Sequence, residues 1–280
     1  MIRVRRASGR RQKFNPRKIY RTCIRAGASE EIAESIVKEI EDKVYDGIPT
    51  REILNMVIRG LRERGAGVAA TRYDLKHAIM RMGPEGFPFE TFMAQILERY
   101  GYRAKLRQHL HGLCADQEID IVLEKGGKRH MVEVKYHNAP GIYTGLKEAM
   151  YTYARFVDLK QGHEEGKCED FNGAWLVTNT RSSLEARRYA SCKGIKLLGW
   201  RQPSGRGLEK MIEERNLYPV TLIHSVDRKA FTALSRAEIM LVDDLAGHDP
   251  IRLSERLNMS RDVTRELVQE ATEIVNYDSD

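Results

Sequence analysis

Two apolar runs on either side of a glycine pair constrain this chain more than any other feature. Ile119-Asp120-Ile121-Val122-Leu123 and Met131-Val132-Glu133-Val134-Lys135-Tyr136 repeat with the two-residue period of a strand, and Gly126-Gly127 lies between them. Paired glycines accept the positive φ angles of a two-residue hairpin turn. Counting outward from such a turn sets Asp120 opposite Glu133, in the closer, non-hydrogen-bonded class of pair with Cα atoms about 4.5 Å apart. Alternation then projects Lys135 on the Glu133 side, while Ile119, Ile121 and Leu123 point the other way.

Directly opposed carboxylates destabilise a sheet, and burial sharpens the repulsion. A divalent cation relieves it. Hard Mg²⁺, or Mn²⁺, takes carboxylate oxygens together with a backbone carbonyl such as that of Val134 and keeps waters for chemistry. Lys135 is then placed to hold a water or a phosphate. Glu-x-Lys alone carries little weight, because the same residues suit the wet face of an ordinary hairpin. The fuller pattern adds Glu90 on an upstream helix, the apolar-flanked Asp120 and the glycine turn.

Elsewhere the period is helical. Ile32, Ile36, Val37 and Ile40 form one stripe between Asn15 and Met82, and Ile53, Val57, Ile58 and Leu61 another. Gly83-Pro84-Glu85-Gly86-Phe87-Pro88 ends that region, because neither prolines nor glycines continue a helix. A helix bearing Phe89, Phe92, Met93, Ile96 and Leu97 follows, stopped at Gly101. Past the hairpin the patterns predict a helix over 145–160, a polar loop over 161–172, a strand at 174–178, a helix after Ser183 and a strand at 195–198. Gln202-Pro203-Ser204-Gly205 marks a second break. The remainder carries only helical signals, including a Ser235/Glu238 capping box and Ser260 ahead of Val263, Leu267 and Ala271. The expected division is 1–84, 85–202 and 203–280: a helical head, an α/β core with a mixed sheet, and a small all-α module.

Net charge is +7 with a pI near 9.2, a balance that suits a polyanionic partner such as nucleic acid. Cys23, Cys114, Cys168 and Cys192 form no C-x-x-C pair and read as reduced thiols. His109, His111 and Cys114 are close enough for a zinc site but lack a nearby fourth ligand. No run of about 18 apolar residues occurs, and none of signal-peptide length follows the basic Met1-Ile2-Arg3-Val4-Arg5-Arg6. A cytoplasmic protein without membrane contact is expected.

The segment 87–200 resembles the PD-(D/E)xK restriction-endonuclease-like superfamily, particularly its Mrr-like and archaeal Holliday-junction-resolvase-like members. Ile119-Asp120-Ile121, Val132-Glu133-Val134-Lys135, Leu176-Val177-Thr178-Asn179 and Gly194-Ile195-Lys196-Leu197-Leu198 carry the likeness. It implies metal-dependent hydrolysis of DNA, with Asp120 and Glu133 as metal ligands, Lys135 as the catalytic lysine and Glu90 as an added helix carboxylate. Gly112-Leu113-Cys114-Ala115-Asp116-Gln117-Glu118 departs from the glycine-rich approach common in Mrr-like chains.

The first 82 residues resemble an ATP-cone, a nucleotide-sensing domain. The residues concerned are Val4 with Arg6, Gly9, Phe14, Lys18-Ile19, Tyr45-Asp46-Gly47-Ile48-Pro49-Thr50 and Val68-Ala69-Ala70 through Tyr73 and Lys76. This implies ATP or dATP bound by Val4, Arg6, Lys18 and Thr50 without hydrolysis, and control through domain or subunit arrangement, with a homodimer expected. Ala7 departs from the family's second basic residue. The C-terminal helices loosely resemble helix-hairpin-helix modules. A helix-turn-helix over 252–271 and a packing or dimerisation role read equally well.

Overall fold

The computed structural model describes residues 2–7 and 9–276. Packing gathers them into two compact units, Met1–Arg81 with Tyr218–Asp280, and Met82–Leu217.

The first unit opens with a short antiparallel hairpin, β1 (Arg3–Arg5) and β2 (Arg11–Lys13). Helices α1 (Pro16–Arg25), α2 (Glu30–Lys43), α3 (Thr50–Glu63), α4 (Gly67–Tyr73) and α5 (Leu75–Met80) follow. Pro16 begins α1, where its missing N–H is not needed, and the Ser29 hydroxyl caps α2 by accepting from the Ile32 N–H. The two apolar stripes meet in one core with Val4, Ile19, Ile36, Ile40, Ile48, Val57 and Leu61 buried.

The second unit holds α6 (Phe87–Arg99), β3 (Arg103–His111), β4 (Asp116–Lys125), β5 (Lys128–Lys135), β6 (Tyr143–Thr144), α7 (Leu146–Glu164), β7 (Gly173–Thr178), β8 (Arg181–Ser182), α8 (Leu184–Cys192), β9 (Lys196–Leu198) and α9 (Leu208–Glu214). Its five-stranded sheet runs in the order β3-β4-β5-β7-β9. The first three strands are antiparallel, and β7 and β9 continue in parallel. The sheet is therefore mixed, as its pattern implied. Crossovers need helices: α7 joins β5 to β7 and α8 joins β7 to β9. Leu159 and Phe156 of α7 pack on Val122 and Met131, and Ala186 and Ala190 of α8 on Leu176.

Three details differ from the sequence pattern. Residues 103–111 form a strand, because the edge position of β3 tolerates the charged run Arg103–His111. The polar stretch after Lys160 continues α7 as far as Glu164. Ser235 lies inside α10 (Arg228–Arg236), which is capped by Asp227, and Glu238 beyond its end is left-handed at φ 57°.

The remaining helices, a 3₁₀ turn at Val220–Leu222, α11 (Val242–Ala246), α12 (Pro250–Leu257) and α13 (Arg261–Asn276), join α10 in the first unit. They dock on the end of the head. Thr221 Oγ1 donates to the Ala78 carbonyl at 2.7 Å, Arg81 Nη2 to the Thr221 carbonyl at 2.9 Å, and the buried Arg72 Nη2 to the Ile274 carbonyl at 2.8 Å. The Arg72 guanidinium also lies 4.8 Å from the centre of the Tyr218 ring. The segment expected to stand apart from 203 onward is thus shared, with α9 in the sheet-bearing unit and the residues from Tyr218 packed on the head. No helix among the described residues is long and apolar enough to cross a membrane.

The turn that sets the register has Gly126 at φ 57° and Gly127 at φ 71°. A Cβ on Gly126 would meet nothing within 4 Å, so its requirement is torsional. Gly126→Val should lower unfolding free energy by about 1–2 kcal/mol in urea titrations, and Gly126→Asn by less than half of that, since Asn tolerates the left-handed region.

Candidate active site

The β4–β5 ladder runs from Lys125 opposite Lys128 to Ile121 opposite Val132. Continuing it would bring Asp120 opposite Glu133, as the turn predicts, but hydrogen bonding changes there. The Val134 N–H, which the ladder would direct to a strand carbonyl, donates instead to Asp120 Oδ2 at 2.6 Å. β3 breaks its pairing at the same level. Leu106 faces Ile121 and Gln108 faces Ile119, while Arg107 between them is left-handed at φ 47°. The sheet opens around Asp120.

Glu133 is 2% exposed, and both its oxygens are engaged by cations. Lys135 Nζ lies 2.6 Å from Oε1 and Arg155 Nη1 2.5 Å from Oε2. Lys135 therefore projects to the Glu133 side, as alternation requires. Arg155 comes from α7 and also binds β4, through Nε to Gln117 Oε1 at 3.0 Å and through Nη2 to the Glu118 carbonyl. Tyr151, one helical turn earlier, is half exposed, with its ring 5.1 Å from the Arg155 guanidinium and 6.0 Å from Lys135 Nζ.

Glu90, in the first turn of α6, is buried, and its Oε2 accepts no hydrogen bond among the described residues. Arg107 Nη1 stands 3.7 Å away. Burial pushes the Glu90 carboxyl up to about 7, and the nearby Asp120 charge adds to the effect. Asp120 is likewise raised to about 6 by burial and then by Glu133, against the pull of the Val134 N–H. Burial disfavours the Lys135 ammonium, yet its hydrogen bond and charge contact with Glu133 prevail, and the net direction is upward. Lys135 keeps its proton at neutral pH.

A hard divalent cation suits this donor set. Two carboxylates raised first by burial and then by a neighbouring acid, Asp120 by Glu133 and Glu90 by Asp120, and a buried Glu90 oxygen that accepts no hydrogen bond among the described residues, supply oxygen donors of the kind a hard cation takes. Among the described residues no three His, Cys, Asp or Glu side chains stand together in coordinating geometry. Mg²⁺ does not require three, since it is held by one or two carboxylates and retains several waters. Of the zinc candidates, His111 pairs through Nδ1 with Asp116 at 2.6 Å.

Two residues here escaped sequence reasoning. Arg155 lies on a different element, 22 positions from Glu133. Asn179, 1% exposed, extends the sheet beyond β5, its Oδ1 accepting from the His137 N–H at 2.9 Å and its Nδ2 donating to the His137 carbonyl at 2.7 Å. That amide fixes the strand exit just beyond Lys135. The Leu176-Val177-Thr178-Asn179 strand end was the available signal for it.

The residues expected to bind nucleotide lie in the first unit, from Val4 to Thr50. Arg5 bridges in parallel to Pro49, which brings β1 beside the start of α3, where Thr50 is the first residue. Arg6 Nε donates to Gln12 Oε1 at 2.6 Å, and Gly9 turns the hairpin at φ 77°. Lys18 is in the first turn of α1, whose Asn15 cap makes no side-chain hydrogen bond. Val4 is 3% exposed and its side chain belongs to the core, so only its backbone is available to a ligand.

The family comparisons divide along these lines. Residues 2–78 match the ATP cone domain, and residues 81–202 match the Mrr catalytic restriction endonuclease family. The chain carries an ATP-cone domain followed by a restriction-endonuclease-like domain. An uncharacterized protein of Archaeoglobus fulgidus is 40% identical over 183 residues, covering 65% of this chain and 99% of that protein. A second uncharacterized protein from the same organism is 51% identical over 41 residues, 15% of this chain and 87% of its own length. A crystal structure of a protein of unknown function is 38% identical with a TM-score of 0.61, covering 69% of this chain and 99% of that one.

The raised carboxyl of Glu90 has a stability consequence. Its folded-state value of about 7 exceeds that of an unfolded glutamate, so folding takes up a proton and stability falls as pH rises between about 4.5 and 7. Without added divalent cation, Glu90→Gln should exceed wild type in unfolding free energy by about 2 kcal/mol at pH 8 and match it near pH 4.5. Equal offsets at the two pH values would mean that the carboxyl is not raised.

Proposed function

We propose that this protein is a divalent-metal-dependent endonuclease that hydrolyses DNA phosphodiester bonds under the control of ATP or dATP bound by its head. The observation that carries this reading is the convergence of Asp120, Glu133 and Lys135 where β4 and β5 part, inside a restriction-endonuclease-like domain. Asp120 and Glu133, with the Val134 carbonyl, would hold Mg²⁺ or Mn²⁺. When bound, such a cation supplies Lewis acidity toward a water and toward the charge that builds on the phosphate.

The protein's own residues do the rest. Lys135, kept charged by Glu133, is no proton acceptor at neutral pH; it holds a phosphate oxygen or orients the attacking water through its N–H bonds. Glu90 adds a carboxyl from the first turn of α6, whose charged form a bound cation would favour, and Asn179 keeps the β5 exit from wandering. The net charge of +7 favours a polyanion. In the head, Arg6, Lys18 and Thr50 with the Val4 backbone would receive the nucleotide. A homodimer is consistent with the exposed Ile142, Tyr143, Leu146, Met150 and Leu184 around the start of α7 and α8.

One observation favours a second reading, a nucleotide-responsive DNA-binding regulator without cleavage. Both oxygens of Glu133 are already matched by cations, an arrangement that is stable without a metal.

A panel of supercoiled plasmid, linear duplex and branched junction, incubated with Mg²⁺ or Mn²⁺ and with or without ATP or dATP, separates the two. Wild type should cut at least one substrate only with metal, and Asp120→Ala should lower the rate at least about a hundredfold. Tight, salt-dependent binding with no cutting under any condition would establish the regulator instead. For the head, Lys18→Ala should weaken ATP binding at least about tenfold by calorimetry, the loss expected of one charge-assisted phosphate contact. Unchanged affinity would move the nucleotide elsewhere.

A further inference from the structure

Arg155 is the most fully committed charged side chain at the centre. Its three nitrogens each have a partner: Glu133 Oε2 on β5, and Gln117 Oε1 and the Glu118 carbonyl on β4. It is 9% exposed, and the Tyr151 ring covers it. The ladder between β4 and β5 extends no further than Ile121 and Val132. The guanidinium thus spans the gap where the strands part and sets how far apart Asp120 and Glu133 stand.

Its charge matters as much as its bonds. A divalent cation on Glu133 would meet Arg155 and Lys135 across one carboxylate, and like charges at that spacing repel strongly where water is scarce. A guanidinium cannot relieve such repulsion by losing its proton. The remaining relief is movement. Losing the Nη1 bond to Glu133 leaves the two bonds to β4, so the group can pivot without leaving.

We propose that Arg155 is a positioning residue that competes with the divalent cation for Glu133, making metal loading weak until a phosphodiester brings its own negative charge. A pivoted Nη1 then has a partner in a phosphate oxygen, and Arg155 ties metal loading to substrate arrival. This rests on the nuclease reading above, and its test is metal binding rather than cleavage.

Calorimetric titration of Mn²⁺ into the full chain without DNA decides it, using wild type, Arg155→Gln, Arg155→Lys and Asp120→Asn, each first checked for folding by thermal melting. Arg155→Gln should bind Mn²⁺ at least tenfold tighter than wild type. Arg155→Lys, which keeps the charge, should stay within about threefold, and Asp120→Asn should lose the site. Equal or weaker binding by a folded Arg155→Gln overturns the competition while leaving the metal site standing. Absence of Mn²⁺ binding by wild type and Arg155→Gln alike overturns the nuclease reading and this inference with it. Should Arg155→Gln not fold, wild type supplies the answer through ¹⁵N-arginine NMR. The Arg155 Nη signal, identified by its loss in Arg155→Lys, should shift and exchange faster as Mg²⁺ is added. A signal unchanged at saturating Mg²⁺ overturns the proposal.

Discussion

A carboxylate buried to 2% exposure has to be matched by charge and hydrogen bonds, and the centre of this protein is organised around that requirement at Glu133. Lys135 meets one oxygen from the same strand and Arg155 the other from α7. The parting of β4 from β5, the diversion of the Val134 N–H to Asp120 and the left-handed Arg107 all occur at this level of the sheet. Unpairing a sheet beside a buried charge costs stability. Its concentration at one place, against intact pairing from Ile121 to Lys125, points to function rather than loose packing.

Much of the centre was legible because a hairpin is local. Two glycines with positive φ fix the turn, the two-residue period fixes the faces, and together they put Asp120, Glu133 and Lys135 in one neighbourhood. The mixed sheet followed from strands separated by helical segments. What compensates the carboxylates was not legible. Opposed acids predict that some cation is needed, but nothing in the period of α7 marks Arg155 as one, since an arginine on an amphipathic helix ordinarily faces solvent. The same limit hid β3, whose charged run reads as polar until its edge position is known. It also hid the docking of the C-terminal helices on the head, which joins residues as distant in sequence as Thr221 and Ala78, 143 positions apart.

The two parts of the chain are linked by composition as much as by covalent order. Arg6 and Lys18, the basic residues proposed to meet a nucleotide, and the net charge of +7 would both favour phosphates. The head matches the ATP cone domain over residues 2–78. Because the C-terminal helices belong to the head's own compact unit, a nucleotide that reshapes the head has them within its reach.

The central claim is that Asp120 and Glu133 share a divalent cation. Crystals equilibrated with Mn²⁺ and measured at the manganese absorption edge test it most directly. The account predicts an anomalous peak within coordinating distance of oxygens from both Asp120 and Glu133. A peak bound only elsewhere, with Glu133 still held by Lys135 and Arg155 at saturating Mn²⁺, would contradict it.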